Sequence, residues 1–308
     1  MERGVLRMLK IVDLFAGAGG FSTGAIQAGC EVVWAANHWK DAVHVHECNH
    51  PKTFHSCQDL QQADFTTLPE YDVLLASPSC QGHSKARGAD QPRHDAARST
   101  AWAVVACVET TRPKAFVVEN VTEFLDWELY PQWKSCMEKL GYNLAANVLN
   151  AADFGVAQSR VRVFITGSKD QPLRVKTNPF KEHIPFQDLI EEGEYKWSMV
   201  SDKADSTKRK WANGIKDHGD DFLIAYYGSE RGGRSIKKPL GTITTKEKFA
   251  LINRDKMRML SLSEYKNAMG FPKEYLLPKS KSLALHMLGN AVCPPVAKEI
   301  LTQMKECI

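Results

Sequence analysis

Residues 9–21 read Leu-Lys-Ile-Val-Asp-Leu-Phe-Ala-Gly-Ala-Gly-Gly-Phe, and this stretch decides the fold. Leu9–Phe15 is a short apolar run typical of a buried strand, and the glycines after it predict a turn that opens a helix. Such a turn lets backbone amides approach a ligand, and the helix amino end favours negative charge. The stretch alone suits a dinucleotide or a nucleoside equally well.

The first 165 residues alternate short β-rich runs with amphipathic stretches. Strands are predicted at Leu9–Phe15, Glu31–Ala35, Asp72–Ala76, Ala115–Val118 and Val161–Thr166, and helices at Phe21–Ala28, Asp41–Cys48, Ser99–Thr111 and Pro131–Leu140. Alternation of this kind indicates βαβ units and a mainly parallel sheet covered on both faces. We therefore predict a doubly wound α/β domain.

The remainder of the chain is different in pattern and charge. After Ser168 no sustained helical period is seen until Ser261, and from Leu283 an apolar helical pattern runs to Ile308. Residues 168–283 contain 23 Lys and Arg against 16 Asp and Glu, a net charge of +7, whereas the rest of the chain carries −3. A polyanionic partner would explain this asymmetry, and a solvated basic face is the alternative.

Composition excludes several classes of protein. With 308 residues, 43% of them hydrophobic and 25% charged, the chain has the composition of a globular protein of about two domains. The longest apolar stretch, Ala101–Val108, is far shorter than a membrane span, so we expect a soluble protein. Eight scattered cysteines without framework spacing favour a reducing, cytoplasmic location.

Chemistry-bearing residues follow several of the predicted strands. Ligands of open α/β sheets bind beyond the carboxyl ends of the strands. Cys80 follows one strand at a proline-containing turn, and Glu119 follows another. Arg160 and Arg162 share one face of a strand by period two. Cys80 could be a nucleophile or a small buried residue, and the arginines could form a structural ion pair.

The order and spacing of these motifs resemble the DNA (cytosine-5) methyltransferases over nearly the whole chain. FAGAGG is similar to that family's cofactor loop, PSCQGHS to its nucleophile loop, ENV to its catalytic carboxylate and QSRVR to its base-binding strand. Residues 258–264, residues 270–272 and LGNAV at 288–292 with the following prolines resemble its last two motifs. The resemblance implies an S-adenosylmethionine-dependent, Rossmann-like fold with a smaller, irregular target-recognition domain.

Domain boundaries follow from the resemblance and the change in pattern. We expect a catalytic domain over residues 1–167, a target-recognition domain over 168–283 and a closing segment over 284–308. The resemblance implies double-stranded DNA as the partner, and a cognate restriction endonuclease is a candidate second partner. It also implies a monomeric enzyme that is associated with the nucleoid through DNA binding. The residues of the target-recognition domain do not indicate which DNA sequence is recognised.

The resemblance also implies a role for each catalytic residue. The thiolate of Cys80 would add to C6 of a flipped cytosine, so that C5 accepts the methyl group of S-adenosylmethionine. Glu119 would hydrogen-bond N3 and the exocyclic amine, and Arg162 would bind O2. Arg160 is assigned to orientation or phosphate contact. The stretch Gln81–Asp95 resembles the family's mobile catalytic loop, with a plain solvated loop as the alternative.

The implied cofactor pocket draws on several segments. Trp39 would lie beside the adenine and Asp59 near its amine, although a core tryptophan and a helix-capping aspartate are the alternatives. The full set is Phe15, Ala16, Gly17, Gly19, Gly20, Asn37, His38, Trp39, Asp59, Pro78, Asn290 and Ala291.

Two positions depart from the family pattern, and one cluster resembles a metal site. Ser79 stands where the family usually has proline, and His38 where it usually has an acidic ribose-binding residue, so we expect weaker or altered cofactor binding. The His and Cys residues between His44 and Cys57 match no standard zinc spacing, and we predict no metal site.

Three other functions compete with DNA cytosine-5 methylation. A tRNA cytosine-5 methyltransferase would use the same chemistry. A catalytically silent DNA-binding relative is suggested by Ser79 and His38, but the presence of Cys80, Glu119 and Arg162 argues against it. A Rossmann dehydrogenase would need an acidic residue after the second strand, where residues 35–39 have none.

Overall fold

The computed structural model describes residues 8–79, 92–178, 182–226 and 230–308, with the backbone alone for residues 92–98. The chain forms two compact units. The first comprises Met1–Asn150, Val161–Asn178 and Ala291–Ile308, and the second comprises Ala151–Arg160 and Pro179–Asn290. No helix in the described ranges is both long enough and apolar enough to span a bilayer.

The strands form two sheets, one in each unit. They are β1 (Lys10–Leu14), β2 (Glu31–Asn37), β3 (Phe54–Cys57), β4 (Val73–Ala76), β5 (Ala115–Asn120), β6 (Asn143–Asn150), β7 (Val161–Ser168), β8 (Ser198–Met199), β9 (Asp221–Ala225), β10 (Arg234–Ser235), β11 (Phe249–Asn253) and β12 (Lys256–Met259). The helices are α1 (Gly20–Gln27), α2 (Lys40–Asn49), α3 (Pro92–Thr111), α4 (Tyr130–Lys139), α5 (Asp205–His218), α6 (Leu262–Ala268), α7 (Lys281–Asn290) and α8 (Pro294–Met304).

A seven-stranded sheet in the order β3-β2-β1-β4-β5-β7-β6 organises the first unit. The first five strands of that order are parallel, and β7 is antiparallel to both of its neighbours. The chain builds β1, β2 and β3 towards one side and then β4 and β5 towards the other. The order therefore reverses between β1 and β4, where doubly wound sheets bind ligands.

The central strands are apolar because both faces of the sheet are covered. β4 and β5 are buried at every residue, whereas the edge strand β6 alternates between buried and exposed positions. One large cluster fills a face of this sheet, with Phe116, Phe124, Trp133 and Met137 fully buried in it. This packing fixes the carboxyl ends of β1, β4 and β5 relative to one another.

Helix α8 packs closely on α1 within the first unit. A Cβ atom on Gly20 would overlap the carbonyl oxygen of Val292, and one on Gly24 would lie 2.5 Å from Cβ of Ala297. Glycine is therefore required at position 20 by the close approach of Val292, just before α8, and at position 24 by the close approach of α8 itself. The chain after Ala291 thereby covers the helix that follows the glycine-rich loop.

The second unit contains an antiparallel five-stranded sheet in the order β10-β9-β11-β12-β8. A small core of Val200, Phe222, Ile224, Ala250, Ile252 and Met257 lies against it. Residues 157–159 join this unit through backbone hydrogen bonds between Ser159, Ala157 and Leu240 of 2.8 Å each.

The α/β class and doubly wound sheet are confirmed, and the five strands and four helices predicted for the first 165 residues are all present. Other elements were missed. The short edge strand β3 and the strand β6 were not predicted, since neither contains a continuous apolar run. Residues after Ser168 were expected to lack a sustained helix, yet α5 spans 14 residues. Its described buried residues are Thr207 and Gly214, and its contact with the core is completed by the partly buried Trp211 and Ile215, so few apolar residues mark the helix in the sequence. The predicted carboxyl-terminal helical pattern forms two helices, α7 and α8.

The compact units also differ from the predicted domain boundaries. Residues 168–178 belong to the first unit because Asn147 on β6 holds them: its Oδ1 accepts from the Val175 amide at 2.9 Å and its Nδ2 donates to the Leu173 carbonyl at 3.2 Å. Residues 284–290 belong to the second unit and Ala291 onwards to the first.

Candidate active site

The glycine-rich loop after β1 is held in an unusual backbone conformation. Phe15, Gly17 and Gly19 have positive φ angles of 58°, 53° and 84°, a region that a phenylalanine rarely adopts. The Ala16 amide donates to the carbonyl of Ala36 at the end of β2, at 3.0 Å, and the Gly19 amide donates to the Ala16 carbonyl at 2.9 Å. The loop is thereby tied to β2 and leaves residues 15–17 partly exposed.

The end of β2 contributes Asn37, His38 and Trp39. The Asn37 side chain is buried, and its Oδ1 accepts from the Trp39 amide at 3.0 Å. Its carbonyl accepts from the Gln58 amide at 3.1 Å, which fixes the segment before Asp59 at the same edge of the sheet. His38 and Asp59 are exposed and Trp39 is half-buried, so their side chains are accessible to a ligand.

The segment after β4 leads into the predicted nucleophile. Pro78 is buried, and its carbonyl accepts from Nδ2 of Asn120 at 3.2 Å. The Ser79 amide donates to Oγ1 of Thr100 on α3 at 3.0 Å. The turn is thus held by contacts with β5 and α3. Cys80 lies outside the described residues, as do residues 81–91 of the predicted catalytic loop Gln81–Asp95, of which only the backbone of residues 92–95 is described.

Glu119 and Arg162 meet at the same edge. Glu119 lies near the carboxyl end of β5, and Arg162 near the amino end of the antiparallel strand β7. Oε1 of Glu119 is 3.3 Å from Nε of Arg162, and their side chains are 9% and 17% exposed. Nη1 of Arg162 also donates to the Val161 carbonyl at 2.8 Å. The Glu119 carboxyl group and the Arg162 guanidinium are therefore a hydrogen-bond acceptor and a hydrogen-bond donor, side by side and largely shielded from solvent.

Arg160 does not join this pair. It precedes β7 and lies in the second unit, where its Nη1 donates to the Ile243 carbonyl at 3.1 Å and its Nη2 donates to the Gly289 carbonyl at 2.8 Å. The side chain is 4% exposed. These contacts hold the Arg160 side chain on two backbone carbonyls of the second unit. Its assignment to orientation or phosphate contact stays a prediction.

The two predicted cofactor residues near the carboxyl terminus fall in different units. Asn290 is exposed at the end of α7 in the second unit, and Ala291 is buried in the first.

The accessible groups around β1, β2 and β3 match a nucleoside ligand. The glycine-rich loop offers backbone groups, the partly exposed rings of Phe15 and Trp39 offer stacking surfaces, and the Asp59 carboxylate offers a hydrogen-bond acceptor. Asp59 already accepts from the Gln61 amide at 3.0 Å, which orients it. Within the described residues no three His, Cys, Asp or Glu side chains are arranged to hold a metal ion.

Sequence reasoning missed two supporting residues of the site. Asn120 bridges Pro78 and, through its Oδ1, the Val121 amide at 2.9 Å, so it links the nucleophile turn to the strand that carries Glu119. Its place inside the ENV motif was a signal for this role. Thr100 had no such signal, because it contacts Ser79 from a helix 21 residues away.

Comparison with known proteins gives matches along the whole chain. The family model described as C-5 cytosine-specific DNA methylase matches residues 9–306. Type II methyltransferase M.NlaX of Neisseria lactamica is 27% identical, covering 98% of this chain and 97% of that protein. Type II methyltransferase M.HhaI of Haemophilus parahaemolyticus is 29% identical, covering 92% and 90%. A mutant of Spodoptera frugiperda DNMT2 has a similar fold, with a TM-score of 0.70, 17% identity, and coverage of 96% and 99%.

Proposed function

The chain belongs to the C-5 cytosine-specific DNA methylase family, and we propose that it methylates C5 of a cytosine flipped out of duplex DNA at a specific sequence, using S-adenosylmethionine. The observation that carries this proposal is the pair of Glu119 and Arg162, 3.3 Å apart at the sheet edge. Asn120, next to Glu119, holds the turn that leads into Cys80. Glu119 and Arg162 thus lie on the neighbouring strands β5 and β7, and Cys80 follows β4 in the sequence.

The cofactor would bind at the carboxyl ends of β1, β2 and β3. Phe15 and the glycine-rich loop would hold its amino-acid part, Trp39 would stack on the adenine, and Asp59 would accept from the adenine amine. His38, exposed at the end of β2, would hydrogen-bond a ribose hydroxyl. When bound, S-adenosylmethionine supplies an electrophilic methyl group.

The residues of this chain activate the cytosine. The thiolate of Cys80 forms a bond to C6, and the electron pair displaced from the C5–C6 double bond makes C5 nucleophilic. Glu119, as a protonated carboxyl group, would donate to N3 and accept from the exocyclic amine, and Arg162 would donate to O2, so both would stabilise the negative charge that develops on the ring. After methyl transfer a base removes the C5 proton, the C5–C6 double bond forms again, and the thiolate leaves.

The target must leave the helix before this chemistry can begin. C6 is inaccessible within a stacked duplex, and flipping the base out costs a few kcal/mol. We propose that the basic stretch 168–283 supplies phosphate and base contacts that offset this cost. The relatives named as type II methyltransferases support a restriction endonuclease as the partner in the cell.

Trapping on a fluorinated base tests the proposal. Incubation with S-adenosylmethionine and duplex DNA containing 5-fluorocytosine is expected to accumulate a covalent complex, because fluorine at C5 blocks the elimination step. The complex should be lost in Cys80→Ser and retained in the matched control Cys57→Ser, an exposed cysteine on β3. Sequencing the trapped DNA gives the recognition site.

The same assay separates the competing functions. If a covalent complex forms with tRNA that contains 5-fluorocytidine and none forms with duplex DNA, the substrate is RNA and the protein is a tRNA methyltransferase. DNA binding without any covalent complex, from wild-type protein that binds the cofactor, would favour the silent relative. A complex that persists in Cys80→Ser would contradict the assigned nucleophile.

A further inference from the structure

A chain of hydrogen-bonded side chains connects β3 with β1 in the first unit. Nε2 of His55 lies 2.7 Å from Nδ1 of His46, Nε2 of His46 lies 3.0 Å from Oγ of Ser22, and Ser22 Oγ lies 2.7 Å from Oδ2 of Asp13. Asp13, Ser22 and His46 are at most 1% exposed, whereas His55 is half-buried. This chain of hydrogen bonds therefore joins the fully buried carboxyl group of Asp13 to the partly exposed imidazole of His55.

The buried end of this chain titrates near neutral pH. Burial raises the pKa of Asp13 to about 7, although two hydrogen bonds from Ser22 oppose the shift. Burial, followed by the proximity of His50 and His55, holds the pKa of His46 well below its usual range. Asp13 is therefore the group that gains or loses a proton near pH 7, while His46 stays neutral.

Other titratable groups face the chain from α2. His50 lies 4.5 Å from His46 between ring centroids, and its Nε2 lies 3.3 Å from Oγ1 of Thr23. Burial lowers the pKa of His50 to about 4 and also lowers the pKa of His55, which the charge of Glu47 opposes. Both imidazoles are thus neutral near pH 7 and leave Asp13 as the charge that changes.

The hydrogen atoms of this chain can be arranged in two ways. When Asp13 is ionised, each donor points inwards: His55 Nε2–H to His46, His46 Nε2–H to Ser22, and the Ser22 hydroxyl to Asp13. When Asp13 is protonated it donates to Ser22, Ser22 donates to His46 Nε2, and His46 Nδ1–H donates to His55. His46 is neutral in both arrangements but changes its tautomer.

We propose that His55, His46, Ser22 and Asp13 form a proton relay between the surface and the carboxyl group beneath the glycine-rich loop, and that a cationic ligand in that loop drives a proton out along it. A proton taken up at Nδ1 of His55 is balanced by one transfer at each link: from His55 Nε2 to His46 Nδ1, from His46 Nε2 to Ser22, and from Ser22 to Asp13. No bond other than those to hydrogen changes.

The position of Asp13 couples the relay to the loop. Asp13 lies on β1 two residues before Phe15, and Ser22 lies on α1 two residues after Gly20. The neighbouring Thr23 donates to the Gly19 carbonyl at 2.7 Å. A positive ligand charge near the loop favours the ionised carboxylate in this low-dielectric setting. The coupling rests on the proposed function, because S-adenosylmethionine carries such a charge on its sulfonium sulfur.

Nitrogen NMR of the imidazoles tests the relay in the protein without cofactor. His46 is expected to be the Nδ1–H tautomer below and the Nε2–H tautomer above a midpoint of about pH 7. Ser22→Ala, a small change at a buried site, breaks the middle link and should abolish this tautomer change. Asp13→Asn removes the titrating group and should abolish it as well. The matched control His44→Gln, an exposed residue on the same helix, should leave it intact.

Two results of that experiment would overturn the relay. One is a His46 tautomer that stays constant in the wild-type protein from pH 5.5 to pH 8.5. The other is a tautomer change of the same size and midpoint in Ser22→Ala. Should Asp13→Asn fail to fold, Ser22→Ala and the control decide the result.

Calorimetry in buffers of different ionisation enthalpy tests the coupling. At pH 7 the binding of S-adenosylmethionine should release more protons than the binding of S-adenosylhomocysteine, which lacks the sulfonium charge. Asp13→Asn should abolish this difference between the two ligands. Equal proton release for both ligands in the wild-type protein would refute the coupling. Failure to bind either ligand would instead refute the proposed function, and the tautomer result would stand independently.

Discussion

Glu119 is a carboxylate at the end of a buried strand with one guanidinium beside it. Arg162 keeps it in place at low exposure, where a hydrogen bond to a developing charge is stronger than in water. Nε of Arg162 lies 3.3 Å from Oε1 of Glu119, and Nη1 of Arg162 donates to the Val161 carbonyl. A change in the charge of Glu119 should therefore affect the reaction more than the fold.

Glu119→Gln is expected to lower kcat by about 10²–10⁴-fold, since the amide keeps the shape but cannot assist the ring as the carboxyl group does. Methyl transfer from labelled S-adenosylmethionine measures kcat, and duplex binding measured alongside should change little. Lys134→Gln, at an exposed ion pair on α4, is the control and should keep full activity. A Glu119→Gln enzyme with wild-type kcat would refute the role of this residue.

His50 makes the stability of the fold depend on pH. Burial lowers its pKa to about 4 from an ordinary 6.5. The unfolded chain therefore binds more protons between these values, and stability is lost as pH falls from 6.5 towards 4. The contribution of Asp13 to stability depends on pH in the opposite direction. Because burial raises its pKa from 3.8 to about 7, the stability that it contributes at low pH is lost as pH rises from 3.8 towards 7.

Comparing His50→Gln with the wild type isolates the contribution of His50 to the pH dependence of stability. Between pH 7 and pH 4.5 the wild-type protein should lose about 2–3 kcal/mol more of its free energy of unfolding than the variant does. Urea unfolding at the two pH values measures the difference, with His44→Gln as the control that behaves like wild type. Parallel pH profiles of wild type and His50→Gln would show that His50 is not protonated on unfolding.

Helix α1 links the glycine-rich loop to the carboxyl-terminal helix of the chain. Its close approach to α8 depends on Gly20 and Gly24, where no side chain fits. The loop, α1 and α8 should therefore respond together to a change at their contact.

Gly24→Ala should destabilise the protein by about 1–3 kcal/mol, because the new methyl group overpacks the contact with Ala297 and Pro294. Urea unfolding measures this cost. Gly232→Ala is the matched control, since a methyl group there meets atoms no closer than 3.7 Å. Equal stability of Gly24→Ala and Gly232→Ala would mean that the two helices separate easily.

The first turn of helix α6 contains Glu264, a buried carboxylate with several partners. Glu264 accepts two bonds from Arg258, at 2.8 and 2.6 Å, and completes a capping box with Ser261. Arg258 in turn stacks 4.1 Å from the ring centroid of Tyr195. Both charged side chains are at most 3% exposed, so neither can be satisfied by water if the other is removed.

Glu264→Gln should cost about 3–5 kcal/mol, because it leaves the Arg258 charge buried without its counter-ion. The free energy of unfolding of the whole protein in urea, followed by circular dichroism, measures the loss. Glu274→Gln, an exposed position in the same unit, should be neutral. A stable Glu264→Gln protein would show that water reaches Arg258.

The whole molecule distributes its charge unevenly along the chain, with +7 over residues 168–283 and −3 elsewhere. If the basic stretch binds DNA phosphates, condensed counterions are released on binding. The affinity for any duplex should then depend on salt even where no base is read.

Raising the salt concentration from 50 to 200 mM should weaken duplex binding by about tenfold or more, which corresponds to two or more neutralised phosphates. Fluorescence anisotropy of a labelled duplex measures the affinity across the series. An affinity independent of salt would exclude the basic stretch as the binding surface, and the solvated-face alternative would replace it.

The sequence by itself determined the features that depend on local chemistry. Apolar runs such as Leu9–Phe15 and the glycines after them define a strand and a turn wherever they occur, because burial and positive φ are local requirements. The order of the motifs around Gly17, Cys80 and Glu119 was sufficient to indicate the family. Strand β3 and helix α5 escaped prediction because each is short of buried apolar residues.

Tertiary structure alone decided which of those residues meet. Arg160 and Arg162 are two positions apart, yet one binds carbonyls of the second unit and the other binds Glu119, because β7 begins between them and runs antiparallel to β5. Likewise His46 and His55, nine residues apart, contact each other only because β3 pairs beside β2. Periodicity describes one element at a time, whereas such contacts depend on how strands are ordered and directed in the sheet.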